Sequence, residues 1–203
     1  LPSAQQRRAD LVERVKAESE RTEQSQEQAA ALRTSVSQLQ QLASQGLGEG
    51  FGEQLRELEI AAGFVALTGP GAVLVMDDAE PPLPRGVHPD EAKVLDIDMQ
   101  SAVNGLWEAG SQAIAINEVR LTSTTAIRTA GQAILVDYRP LEPPYRITAV
   151  GPVDLADRFA ATGASDDLRQ LRKDYGIQSA VKGVDRVRVP ASTANLPTRA
   201  EVV

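Results

Sequence analysis

Two groups of residues carry side chains that could act together. The first is Asn117, Arg120, Thr122, Ser123, Thr124 and Arg128, in which two arginines flank a run of hydroxyls just after a buried-looking apolar stretch. Guanidinium forks combined with hydroxyl donors grip carboxylate or phosphate. This set is therefore the candidate contact for a small anionic ligand or a polar partner. The competing reading is a polar hairpin whose arginines pair with acids upstream. The second group is Asp77, Asp78, Asp96 and Asp98. Paired carboxylates are hard ligands suited to Mg²⁺ or Ca²⁺, but the alternating acids, glycine and distal glutamate of a calcium loop are missing. A simpler role is structural: Asp77 and Asp78 end a strand, while Asp96 or Asp98 caps a helix whose free N–H groups favour an acid. No metal site is expected.

Other chemistries fall away one by one. The chain has no cysteine, which removes disulfides, thiolate metal sites and thiol catalysis. Its single histidine, His88, lies in a loop with four prolines between 81 and 89 and near no nucleophile elbow. Gly69-Pro70-Gly71 lacks the lysine and hydroxyl of a phosphate loop and precedes a strand rather than a helix, so it reads as a tight turn. Acid/base work by two carboxylates stays open, because sequence gives no distances. No catalytic residue and no cofactor is expected. Aromatic residues make up 3% of the chain, too few for base-stacking platforms. Charge is uneven: residues 1–62 hold 7 basic and 10 acidic groups, residues 63–118 hold 2 and 9, and residues 119–203 hold 12 and 9. The acidic middle repels phosphate backbones, so nucleic acid is excluded as a partner.

The elements that must position these residues begin with a polar arm. From Leu11 a ladder at 3–4 spacing runs through Val15, Glu18, Thr22, Ser25, Ala29, Leu32, Val36 and Leu39 to Ala43, apolar at both ends and polar in the middle. That is a coiled-coil seam with a weak centre. A helix this polar needs a partner: a second copy, another protein or its own domain. Gly46, Gly48 and Gly50 end it, and a short helix follows from Phe51 to Ala62. Strands are expected at Ala72–Met76, Ala113–Ile116, Ala133–Val136 and Arg146–Val150, with a final hairpin of Ser179–Lys182 and Arg186–Val189 about Gly183. Helices are expected at Ile97–Ala109, Leu155–Ala161 and Asp167–Tyr175. The fold class is α+β. A helical stalk, 1–62, precedes an α+β domain, 63–203, with about six strands in a mostly antiparallel sheet and helices on one face, a ferredoxin-like topology being the leading expectation.

Several motifs resemble one known family. They are Asp96-x-Asp98-x-Gln100, then Asn104-x-Leu106-Trp107-x-x-Gly110, then Ala113-Ile114-x-Ile116-Asn117-x-x-Arg120. Thr122 to Thr124, Ile127-Arg128 and Pro143-Pro144-Tyr145-x-Ile147-x-Ala149-x-Gly151 follow in order, and Gly69-Pro70-Gly71 with Asp77-Asp78 resembles the opening. Together they are similar to domain of unknown function 881 over about residues 55–190. The resemblance implies a single-pass membrane protein of Gram-positive bacteria, actinobacteria included: a short cytoplasmic start, one membrane helix, a coiled coil and an extracytoplasmic domain. It further implies a link to cell division and the envelope, since some members are encoded near such genes, and no catalytic residues come with it. The sequence departs from that pattern in having no stretch of about 18 apolar residues to span a bilayer. It starts at Leu1 rather than Met, so an anchor removed from upstream is expected. The expected role is a non-enzymatic structural or interaction protein of the cell envelope, whose N-terminal helix meets itself or a protein partner.

Overall fold

The computed structural model describes residues 49–192. The ladder from Leu11 to Ala43 lies outside the described residues. The chain divides into two compact units, Leu1–Leu55 and Arg56–Val203. Helix α1 (Glu49–Ala61) runs across that division. In chain order there follow β1 (Leu67–Asp77), α2 (Asp96–Glu108), β2 (Ala113–Ile116), β3 (Val119–Arg120), β4 (Ile127–Ala130), β5 (Ala133–Val136), β6 (Arg139–Leu141), β7 (Tyr145–Val150), α3 (Leu155–Ala160), α4 (Gly163–Tyr175) and β8 (Gln178–Val189). No helix among the described residues is long and apolar enough to cross a membrane.

Five strands form one sheet in the order β3-β2-β7-β1-β8, and every pairing is antiparallel. The unbroken apolar run of β2 is explained by burial on both sides. Ile114 and Ile116 join the large core, Ala113 and Ala115 the smaller cluster behind the sheet, and all four are fully buried. On the large-core face, Ala72, Leu74, Met76 and Ile147 meet Met99, Ala102, Val103 and Leu106 of α2, Leu155 and Phe159 of α3, and Leu168 of α4. The 3–4 spacing along α2 puts its apolar residues on one stripe. Helices therefore cover one face, and the core is almost wholly aliphatic, as the scarcity of aromatics requires.

The second sheet, β4-β5-β6, is an antiparallel meander. Ile134 and Val136 turn inward to the large core, with Ile127 and Leu141 packed beside them. It is tied to the start of α2 by two polar contacts. The Asp96 carboxylate accepts the Thr129 N–H at 2.8 Å, and the Gln100 amide donates to the Ile127 carbonyl at 2.9 Å.

Three expectations are corrected. The described residues hold eight strands rather than six, because β3, β4 and β6 are too short or too polar to read from pattern. The final hairpin is instead one continuous strand: Gly183 stays in the ladder opposite Ala72, its open side toward Ala156 of α3. Gly69-Pro70-Gly71 is not a turn before β1 but a bulge within the β1–β8 pairing. The register passes from Gly69↔Val187 to Gly71↔Val184, leaving Asp185 and Arg186 opposite Pro70 alone. A proline, with no N–H to donate, sits without loss at such an irregularity. Gly71 is needed there, since a Cβ would collide with the Ala149 carbonyl oxygen.

Candidate functional site

Arg120 is the centre of the first residue group, and it faces inward. Its neighbour across the ladder is Ala115, so its side chain shares the side of the sheet opposite the helices. The residue is 4% exposed. Nη1 donates to the carbonyls of Val65 and Pro190 and Nη2 to that of Ile60, each at 3.1 Å, while Nε has no partner among the described residues. Burial pushes its pKa below the ordinary guanidinium value. A positive charge beside Ile60 is well placed, because the last carbonyls of a helix carry partial negative charge.

That helix end is itself built for the junction. Phe64 N–H bonds the Glu59 carbonyl at 2.8 Å and Gly63 N–H that of Ile60 at 3.0 Å. This is a Schellman arrangement, and Gly63 takes the left-handed conformation it demands, with φ of 80°. A side chain at Gly63 would also crowd the Thr122 methyl at 2.9 Å. The Gly63 carbonyl in turn accepts the Ser192 N–H at 2.7 Å. Three separated stretches, at 60–65, 120–122 and 190–192, thus converge on one guanidinium.

The remaining members have local work. Thr122 N–H donates to Thr125 Oγ1 at 2.9 Å, and Thr122 Oγ1 lies 3.2 Å from Thr124 Oγ1 and 3.1 Å from Thr125 Oγ1. The hydroxyls close a turn upon themselves, leaving Ser123 exposed. Asn117, at φ of 42°, and Glu118, at 66°, form the tight β2–β3 turn. Asn117 Oδ1 accepts the Arg146 N–H at 2.7 Å, extending the β2–β7 pairing past the last strand residue. Arg128 lies apart from Arg120 on the second sheet, exposed, its guanidinium 5.6 Å from the centre of the Tyr138 ring. The structure does not gather the two arginines around a common point: one holds carbonyls, the other a phenol.

The four aspartates all accept backbone N–H groups. Asp77 takes that of Asp78 at 2.9 Å, Asp78 that of Val94 at 2.8 Å, Asp96 those of Ile97 and Thr129, and Asp98 that of Leu95 at 2.9 Å at the head of α2. Burial, with Asp96 and Asp167 nearby, raises the Asp98 pKa against the lowering effect of the Leu95 bond. Among the described residues no three acidic or histidine side chains come together closely enough to hold a metal ion.

Two features went unread in the sequence. Tyr138 occupies the β5–β6 turn at φ of 64° beside Asp137 at 51°, and it is 78% exposed. A bulky residue is rarely found in that conformation, and nothing in its neighbours announces it. Tyr145, by contrast, is 4% exposed, and its phenol is pushed up to about 12 by burial first, then by Asp78, Asp77 and Glu142.

These observations define an antiparallel α+β module whose most distinctive motif residues, Arg120, Asn117 and the threonine turn, bond its own main chain. The chain belongs to the bacterial family described as "Bacterial protein of unknown function (DUF881)", whose model matches residues 54–201. The UPF0749 protein Rv1823 of Mycobacterium tuberculosis (strain ATCC 25618 / H37Rv) is 37% identical over 157 residues, covering 74% of this chain and 51% of its own length. The UPF0749 protein YlxW of Bacillus subtilis (strain 168) is 27% identical over 103 residues, covering 51% of this chain and 44% of its own. The chain thus spans about half the length of the curated relatives it matches. A crystal structure of an uncharacterized conserved protein from Mycobacterium tuberculosis aligns with a TM-score of 0.58 at 30% identity, over 74% of this chain and 99% of that one.

Proposed function

We propose that the protein is a non-enzymatic structural and interaction protein of the bacterial cell envelope, acting in cell division or wall assembly. In this reading a membrane anchor precedes the sequence, the region lies outside the cytoplasm, and the seam from Leu11 to Ala43 pairs with a second copy or another protein. The observation that carries it is the fate of Arg120. The residue best suited to grip a ligand is instead buried and bonded to three carbonyls, one of them at the end of α1. A junction so constructed supports a domain held on a helix and presented to a partner. Element order favours a ferredoxin-like core, β1-α2-β2 and β7-α3/α4-β8, with strand order β2-β7-β1-β8 and the small meander inserted between its halves.

Sedimentation of the full chain tests the stalk. A mass above the monomer at tens of micromolar is expected, and Leu32→Glu with Leu39→Glu returns it to monomer. A monomeric parent chain that also captures no partner on crosslinking in its native membrane removes the reading. The alternative, a small anionic ligand held by Arg120, Arg128 and the neighbouring hydroxyls, is favoured only by the exposure of Arg128 over Tyr138. A thermal-shift screen with anionic metabolites and wall precursors tests it: a ligand at 100 times its Kd adds about 2.7 kcal/mol.

A further inference from the structure

The five-stranded sheet ends unequally. At one edge lies β3, two residues long. At the other lies β8, with 12 residues, and among the described residues no strand stands beyond it. Along such an edge every second residue turns an N–H and a C=O outward, with no ladder partner. The stretch from Gln178 to Val184 pairs with β1 without interruption, and the bulge opposite Pro70 interrupts the register only after it. Gln178, Ala180, Lys182, Gly183, Asp185, Arg186 and Arg188 are exposed.

Charge selects the occupant. The chain carries a net −7, yet β8 holds Lys182, Arg186 and Arg188 against Asp185 alone. Arg172 and Lys173, against Asp174, in the last turn of α4 lead into it. A second copy adding its own β8 would bring a net-positive strand against a net-positive strand. Lys182 and the bulge are also devices by which edges resist such self-pairing. An acidic strand meets no such opposition. Its main chain completes the open ladder and a carboxylate beside Lys182 meets that ammonium, with Arg186 just past the docked stretch, the mode of strand addition at a sheet edge.

We infer that β8 is a docking edge for an extended acidic segment of a partner protein, which adds as a sixth strand along Gln178–Val184. The inference deepens the interaction reading above and rests on it. The test uses the full chain and a synthetic peptide of about seven residues, a usual strand length, alternating glutamate and valine. Its controls are a lysine–valine twin, a glutamate peptide interrupted by proline, and vesicles of anionic lipid. Amide hydrogen exchange is expected to slow across Gln178–Val184 with the acidic peptide only, and less so as salt is raised. Lys182→Glu with Arg186→Glu, both exposed, should weaken the acidic peptide at least about tenfold and admit the lysine twin. Equal responses to both peptides, no response to either, vesicle binding in place of peptide binding, or a β8 edge already as protected as β1 in the unliganded chain each overturn the inference. Sedimentation of the same samples separates the two readings. Stalk assembly without peptide binding removes only the β8 proposal, and peptide binding by a chain that stays monomeric removes only self-pairing of the stalk.

Discussion

Each of the two sheets, with its turns, sets one arginine against one tyrosine for comparison, and the two pairs have opposite fates. In the large sheet Arg120 and Tyr145 are each 4% exposed, one fastened to three carbonyls and the other forced to keep its proton by burial. At the small sheet Arg128 and Tyr138 are exposed, the guanidinium lying over the ring. Residue type is the same and only eight positions separate the arginines. The difference is what surrounds them. A guanidinium ringed by fixed carbonyls spends its hydrogen-bonding capacity on the fold, whereas one at the rim keeps it for solvent or a partner.

The comparison breaks most easily at Arg120. Arg120→Ala leaves three carbonyls without their donor and is expected to cost on the order of 3 kcal/mol in urea unfolding. Arg120→Lys should restore less than half, because one ammonium cannot span three separated acceptors. Gly63→Ala, which forces a side chain into a left-handed site and against Thr122, is expected to cost about 1–2 kcal/mol by the same measurement.

Tyr145 sharpens the contrast in alkaline solution. Its folded pKa, about 12, lies above the ordinary phenol value near 10, so the folded chain keeps a proton that the unfolded chain releases. Stability is therefore full below about pH 10 and falls between about 10 and 12, by at most ~1.4 kcal/mol per pH unit. Tyr145→Phe should flatten that slope in urea midpoints taken across the window. At the small end, Arg128→Ala should change stability by no more than about 1 kcal/mol, as exposed cation–π pairs do. A loss as large as that of Arg120→Ala would end the distinction between the two sheets.

How much of this was legible depended on how local the cause was. Ala113–Ile116 was read to the residue, because a strand buried on both faces must be continuously apolar. The helix carrying Met99, Ala102, Val103 and Leu106 was read to within one residue at each end, because its stripe repeats at helical spacing. The bulge at Pro70 was not legible: glycine and proline advertise a turn, and only the positions of β7 and β8 reveal an irregular strand. Gly183 misled in the same way. Asn117 suits a tight turn, but Tyr138 in the same conformation contradicts every local preference. The role of Arg120 was least visible of all, since its acceptors at 60, 65 and 190 lie 55 to 70 residues away along the chain.

One consequence follows from where the main chain enters and leaves this fold. Leu67, first in β1, is paired with Val189, last in β8, so entry and exit strands run side by side with their outer ends together. Tension applied between residues 63 and 192 would peel those strands apart one rung at a time, rather than sliding them past each other as a whole. The rungs nearest the load are the Gly63–Ser192 bond and the two bonds from Arg120 to Val65 and Pro190. Under a stretching force those three bonds would bear the load first, two of them from a single side chain that rivets the seam.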